Sequence, residues 1–270
     1  MRKAHSIITA LLASLVQVLP LSAQTDQPKV KDVVNAKMLA TGYTNILDTY
    51  ISPEHYTGTE LRFIDETIRK KEKWPTMLTH QAQISYTKPR SDEANNLYAL
   101  YTFGYALHRR WQLKGDRLEL KVGGQAEVGG GFLYNTRNGN NPAQARLYLN
   151  VGPSAAAAYD FQIGSHRSAV TYQVAAPLLG ILFSPNYGQS YYEIFSKDDY
   201  DHNVVVTTPF CAPTLRQQIS LDVQFGRSTL RIGYLCDIQQ AKVNNLKYHT
   251  YSHLLVLGYV RHFEIHSKKW

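Results

Sequence analysis

The chain has 270 residues, of which 29 are Lys or Arg and 21 are Asp or Glu, giving a net charge of +8. The two signs are interleaved, with no Lys/Arg block and no nucleic-acid motif, so DNA and RNA are not expected partners. Two cysteines, Cys211 and Cys236, are too few for a secreted disulfide scaffold. A mean hydropathy of -0.32 suits a soluble protein, or a membrane barrel whose strands are half polar.

Residues 1–23 read as a secretory signal peptide. Arg2 and Lys3 form the basic start, Ile7 to Pro20 the apolar run, and Leu21-Ser22-Ala23 the small-residue cleavage site before Gln24. The apolar run is shorter than the roughly 20 residues of a helical span, and nothing later resembles one. The remaining 24–270 are expected to form one barrel.

Ten long strands are expected, over approximately 33–46, 58–70, 77–88, 97–112, 117–134, 145–161, 167–183, 213–225, 229–241 and 249–263. The first is weakly patterned, with Lys37 and Asn45 among apolar residues. The second sends Glu60, Arg62 and Glu66 to one face. The fifth sends Glu119, Lys121, Gln125 and Glu127 inward, with Gly123, Gly129 and Gly131 between them, and Leu118, Leu120, Val122, Ala126 and Val128 outward. In the sixth, Arg146, Tyr148 and Asn150 oppose Leu147, Leu149 and Val151.

The alternation is clearest in the eighth and ninth strands. Leu215, Ile219, Leu221, Val223 and Phe225 share one face, and Arg216, Gln218, Ser220, Asp222 and Gln224 the other. After Gly226-Arg227, Leu230, Ile232, Tyr234, Cys236 and Ile238 oppose Arg231, Gly233, Leu235, Asp237 and Gln239. Period two is the mark of a strand. Strands this long, with one apolar and one charged face, mark an all-β transmembrane antiparallel up-and-down barrel. In the last strand, Leu255, Leu257, Tyr259 and Phe263 compete with Leu254, Val256 and Val260 for the lipid face. If Tyr191–Ser196 and residues 203–210 are also strands, the count becomes twelve.

Short connections at 71–76, 113–116, 162–166 and 226–228 alternate with mostly longer ones at 47–57, 89–96, 135–144, 184–212 and 242–248. The short end is expected in the periplasm. Trp74, Trp111 and Trp270 fall at that end, as interfacial tryptophans do. Charges of both signs line the lumen, so internal salt bridges and a narrow or occluded pore are expected. Gly226 suits a two-residue hairpin turn that sets Phe225 opposite Ser228. Asp222 then faces Arg231 and Arg216 faces Asp237, two opposite-charge pairs worth up to about 1 kcal/mol each. These four residues read as structural lumen pairs.

Several strings are distinctive: Leu47-Asp-Thr-Tyr-Ile-Ser-Pro53, Asn135-Thr-Arg-Asn-Gly-Asn-Asn-Pro142, Phe183-Ser-Pro-Asn-Tyr-Gly-Gln-Ser-Tyr-Tyr-Glu-Ile-Phe195 and Asn244-Asn-Leu-Lys-Tyr-His-Thr-Tyr-Ser-His253. With the chain's size and leader, they resemble an uncharacterised family of exported Bacteroidales proteins carrying a domain of unknown function. The resemblance implies the outer membrane of a Gram-negative bacterium and brings no catalytic residues.

Catalytic patterns are thin. His166-Arg-Ser168 has the spacing that puts a His and a Ser on one strand face, where the His could activate the hydroxyl. It sits at a short turn, away from the outer leaflet. Asp198-Asp-Tyr-Asp-His-Asn203 carries the residue types of an Asp–His surface protease, but on one loop. His249 and His253 lie about 13 Å apart along a strand, too far to share a zinc. No metal or cofactor is expected. The 184–212 loop is the best binding candidate, through Tyr187, Tyr191, Tyr192, Phe195, Asp201 and His202. Tyr191, Tyr192 and Phe195 are expected to be at least partly buried. Expected partners are outer-membrane lipid and an extracellular ligand, and the expected state is a monomer.

Overall fold

Successive side chains of a strand leave opposite faces, and in the computed structural model that alternation closes into a barrel. The structure describes residues 30–91, 94–115, 117–139, 141–226 and 228–266. The leader, Arg227 and Trp270 lie outside them. In chain order the elements are β1 (Val30–Asp48), β2 (Ser52–Lys70), β3 (Thr76–Pro89), β4 (Asn96–Leu113), β5 (Leu118–Asn135), β6 (Ala143–Ile163), β7 (His166–Ala175), β8 (Leu179–Phe183), α1 (Tyr191–Ser196), β9 (Val204–Thr207), β10 (Leu215–Phe225), β11 (Ser228–Val243) and β12 (Leu246–His266).

The closed circuit runs β1 to β7, then β10, β11 and β12, which returns to β1. That is ten barrel strands, all antiparallel to their neighbours. The two extra strands, β8 and β9, pair with each other, and β8 also pairs with β6. The expected strand 167–183 is therefore broken. β6 pairs Ser154 with Ala175 and then Val151 with Leu179, so residues 152–153 face residues 176–178 across a bulge. Pro177 has no N–H for the ladder. A Cβ on Gly152 would lie 2.6 Å from Pro177 Cα, so the bulge backbone presses on a position that only glycine fills.

Two expected loops, 47–57 and 242–248, are instead mostly strand joined by the tight turns 49–51 and 244–245. Asn244 and Asn245 hold φ of 51° and 58°, the left-handed pair that a two-residue hairpin turn demands. Ladder pairing continues there past the apolar alternation, because rim residues such as Glu54 and Lys247 need no lipid-facing character. Tyr191–Ser196, weighed as a strand, is the helix α1.

Outward side chains such as Phe63, Val122, Leu147, Leu149, Leu230, Ile232 and Leu257 form an exposed apolar belt. The weak patterning of β1 and β12 has a physical cause: their inner faces are largely apolar, and the outer face of β1 carries Asn35, Lys37 and Thr41 beside Leu39 and Tyr43. Leu39, Leu255, Leu257 and Tyr259 point out, while Met38, Ala40, Leu254, Val256 and Val260 pack inward with Ile64 and Leu235. A second interior cluster joins Ile46, Tyr98, Leu100, Leu133, Tyr148, Leu182 and Ala241. Trp74 and Trp111 are exposed at the short-turn end, with the Arg109 guanidinium 5.5 Å over the Trp74 ring.

Candidate functional site

β10 and β11 pair in the register with Phe225 opposite Ser228, Asp222 opposite Arg231 and Arg216 opposite Asp237. Arg231 donates to Asp222 through Nε (2.7 Å) and Nη2 (2.8 Å), a bidentate pair. Its Nη1 lies 3.7 Å from Glu66. Arg216 and Asp237 meet at 3.2 Å, but as part of a larger buried cluster. Arg62 Nη1 donates to Asp237 at 2.6 Å, and Arg62 Nε to Glu60 at 2.8 Å. Arg216 also pairs with Glu127. The Tyr148 hydroxyl donates to Glu127 at 3.0 Å, and Ser252 to Glu60 at 2.6 Å.

This ion layer is sandwiched between the apolar clusters. Along β11, Asp237 lies between Leu235 of the first and Ala241 of the second. Two guanidiniums (Arg62, Arg216) meet three carboxylates (Glu60, Glu127, Asp237), and hydroxyl donors serve the surplus. Below it, toward the short turns, a vestibule of about 840 Å³ opens, bordered by Arg117, Asp160, Asp222, Gln224 and His262. The lumen is thus open at the short-turn end and filled above.

The opposite end is capped by residues 184–203. Ser190-Tyr-Tyr-Glu193 is a capping box: Ser190 Oγ accepts from Glu193 N at 3.2 Å, and Glu193 Oε2 accepts from Ser190 N at 2.8 Å. These hydrogen bonds from Ser190 hold the Glu193 carboxyl below the usual carboxylate range. The helix is anchored by Ile194, fully buried, and by the Tyr191 hydroxyl. That hydroxyl donates to Gln144 at 2.8 Å and accepts from Ala145 N at 2.7 Å. Tyr50 packs edge-on to Tyr191 at 5.8 Å; burial pushes its phenol up to about 12, with Tyr191, Asp48 and Glu193 adding to the effect. Beneath, Arg146 pairs with Asp48 and lies 4.1 Å over the Tyr248 ring.

The expected burial of the three loop aromatics holds for Tyr191 alone. Tyr192 is 64% and Phe195 59% exposed, alongside Tyr187 and Tyr200. On the helix, residue 192 lies nearly opposite the buried Ile194, and residue 195 lies about a quarter-turn from it, on the outer edge beside Tyr191. Phe195 still stacks on Tyr191 and Phe183, at 6.0 and 6.3 Å. Asp201 and His202 contact each other and are exposed. The capping box and the buried Ile194 were both readable in the sequence, as Ser-x-x-Glu before an apolar residue.

The weighed catalytic patterns do not assemble. His166 Nδ1 lies 3.0 Å from Gln224 O, and Ser168 donates to His166 O at 3.4 Å, so that His and Ser are not paired. His253 meets the Tyr234 hydroxyl at 2.5 Å, while His249 stacks on Tyr251 at 4.1 Å. Among the described residues no group of three His, Cys, Asp or Glu is placed to hold a metal ion. A pair missed in the sequence is buried inside: His108 Nε2 lies 2.8 Å from Ser154 Oγ. They come from β4 and β6 and reach each other across Gly123 of β5, which has no side chain to separate them.

The fold is similar to the transport unit of the autotransporter AIDA-I from Escherichia coli, at 8% identity, covering 94% of this chain and 97% of that one, with a TM-score of 0.47. It is also similar to the outer membrane protease OmpT from Escherichia coli, at 6% identity, covering 90% and 100%, with a TM-score of 0.46. The translocator domain of the autotransporter NalP from Neisseria meningitidis is similar at 11% identity, covering 97% of each chain, with a TM-score of 0.39. No curated protein matches the chain. The family model described as Protein of unknown function (DUF3316) matches residues 7–269, and the chain belongs to that family.

Proposed function

We propose that the protein is an exported, monomeric, occluded barrel in the outer membrane of a Gram-negative bacterium, acting as a surface-binding or structural protein through the loop cap. The observation that carries this reading is the filled lumen, an ion layer held between two apolar clusters. The exposed apolar belt supports a lipid surround. The cap end is the extracellular one in this reading, and its exposed rings of Tyr187, Tyr192, Phe195 and Tyr200 form the binding face. Aromatic rings give large contact area at low entropic cost. The refolded protein in a planar bilayer is expected to show no conductance steps; stable open-channel steps would overturn the occluded reading. On a glycan and peptide array, replacing the four rings with Ala is expected to abolish whatever the wild type retains.

A further inference from the structure

The barrel closes where its last strand meets its first, and near the cap end the outer face of that joint carries two imidazoles and a carboxamide. In β1, Asn45 shares the outward face of Leu39 and Tyr43. In β2, His55 shares that of Leu61 and Phe63, and in β12, His249 shares that of Leu255 and Leu257. The three residues lie side by side across β2, β1 and β12, with His55 diagonal to Asn45 through the pair Asn45 and Thr57.

Their polar atoms converge. His55 Nδ1 lies 3.3 Å and His249 Nε2 lies 3.4 Å from the same Asn45 Oδ1. Both separations exceed the roughly 2.7–3.2 Å of an N–H···O hydrogen bond. They match instead the edge of a tetrahedral shell, in which nitrogen and oxygen ligands about 2.0–2.2 Å from one ion stand roughly 3.3–3.5 Å apart. The ring centroids of His55 and His249 are 5.1 Å apart, close to the ~5 Å that two imidazoles on such an ion require. His249 is held in place: it is 3% exposed and stacks on Tyr251 at 4.1 Å, within 4° of parallel. The Tyr251 hydroxyl is fixed in turn by donating to Gln240 at 2.8 Å. His249 Nδ1 is buried with no hydrogen-bond partner, so the long contact to Asn45 is a poor return for burying this ring. His55 is exposed, which leaves the site open to solvent on one side.

We propose that Asn45, His55 and His249 bind a divalent transition-metal ion of the zinc and copper class, which staples the closing strands of the barrel together. Imidazole suits Zn²⁺, Cu²⁺ and Ni²⁺, whereas Ca²⁺ and Mg²⁺ take shells of oxygen. The histidine pair is completed by a carboxamide oxygen, not by an acid or a thiol, and the fourth position is left to water. The ligands are neutral and Lys247 lies two residues before His249 on the same face of β12. The ion therefore keeps its full charge and is held less tightly than a carboxylate in place of Asn45 would hold it. His55 and His249 meet only in the closed barrel, so binding favours the folded state.

The test uses the full mature chain, without a histidine tag, refolded in phosphatidylcholine vesicles. It is titrated with Cu²⁺, the tightest binder of the divalent series, and followed by electron paramagnetic resonance. The wild type is expected to bind one Cu²⁺ with the hyperfine pattern of two imidazole nitrogens, and to release it to excess Zn²⁺. His55→Gln, an exposed substitution that spares the fold, is expected to weaken binding about 100-fold and to remove one nitrogen from the pattern. Asn45→Asp is expected to tighten it about tenfold through the added charge. Saturating Zn²⁺ is expected to raise the urea midpoint of the wild type and not that of His55→Gln. Binding by the wild type no stronger than by the double variant His55→Gln/His249→Gln would place the ion elsewhere and overturn the site. So would a spectrum unchanged in His55→Gln, or an Asn45→Asp variant that binds no tighter than the wild type.

Discussion

Charge counting in the ion layer predicts which of its members matters most. Arg62 and Arg216 face Glu60, Glu127 and Asp237, a local balance of one negative charge. Arg216→Met removes a cation from a layer already short of them. It leaves Glu127 with the Tyr148 hydroxyl, and leaves Asp237 sharing Arg62 with Glu60. Asp237→Asn instead brings the count to neutrality and keeps an acceptor near Arg62 Nη1, now 2.6 Å away. Breaking a buried pair so as to strand its partner costs about 3–5 kcal/mol. Losing the charge assistance of a hydrogen bond costs roughly 1–2 kcal/mol. With a urea slope of about 3 kcal/mol/M, the upper end for small proteins, Arg216→Met is expected to lower the unfolding midpoint by about 1–1.7 M. Asp237→Asn should lower it by less than about 0.7 M on the same slope. The double variant returns the layer to one negative charge, so its cost should fall below the sum of the singles by about 1–3 kcal/mol. The assay is equilibrium unfolding in lipid vesicles, followed by the electrophoretic shift between folded and heated barrel. If Arg216→Met proves no worse than Asp237→Asn, water screens these charges and the lumen is not dry.

The capping box gives the loop a pH dependence of known sign. Glu193 has its carboxyl held low by hydrogen bonds from Ser190, so its contribution is present above the ordinary carboxylate value and is lost as pH falls through the lower folded one. Amide exchange of residues 190–196 should stay flat from pH 8 to about 4, after allowance for intrinsic rates, and rise below it. Glu193→Gln should remove that rise, and Ser190→Ala should weaken the cap by about 1 kcal/mol at neutral pH. A rise centred near pH 6 would point to a histidine instead. Gly152→Ala is expected to destabilise the barrel by about 1–3 kcal/mol, because its Cβ would stand 2.4 Å from Ala176 O; an unchanged unfolding midpoint would mean that the bulge moves freely.

Legibility followed the physics of each face. Where lipid lay outside and charge inside, as in β5, β6, β10 and β11, side-chain direction could be read residue by residue. One hairpin register could also be read, because two opposite-charge pairs demand it. Alternation fell silent in β1 and β12, whose inner faces are as apolar as their outer ones. It also fell silent at the rims, where Asn244-Asn245 turns the chain tightly although no lipid selects the flanking residues. The buried His108–Ser154 pair was out of reach for a different reason. Its members are separated by 46 positions and meet only because three adjacent strands set His108, Gly123 and Ser154 in one row.

The break in the wall was partly written in the chain, and its meaning depends on both sides. Pro177 within an expected strand argues against an unbroken ladder, but proline at an edge or bulge is common and would not by itself open a wall. The opening needs the opposite lip to be out of step as well. That is supplied by the turn at 208–212, which sends Phe210 outward and ties Cys211 to β11 instead of to β8. A barrel built only to be rigid would close its ladder at this point, since each paired backbone group in lipid avoids a penalty of several kcal/mol. The chain instead leaves residues 176–179 unbonded to 208–214 on a lipid-facing wall, directly over polar groups of the lumen. Ala176 N and Leu178 N stay bonded to Pro153 O and Val151 O of β6, so the cost falls on the 208–214 lip, and the seam is where the ladder of the wall is interrupted between β7–β10 and β8–β9.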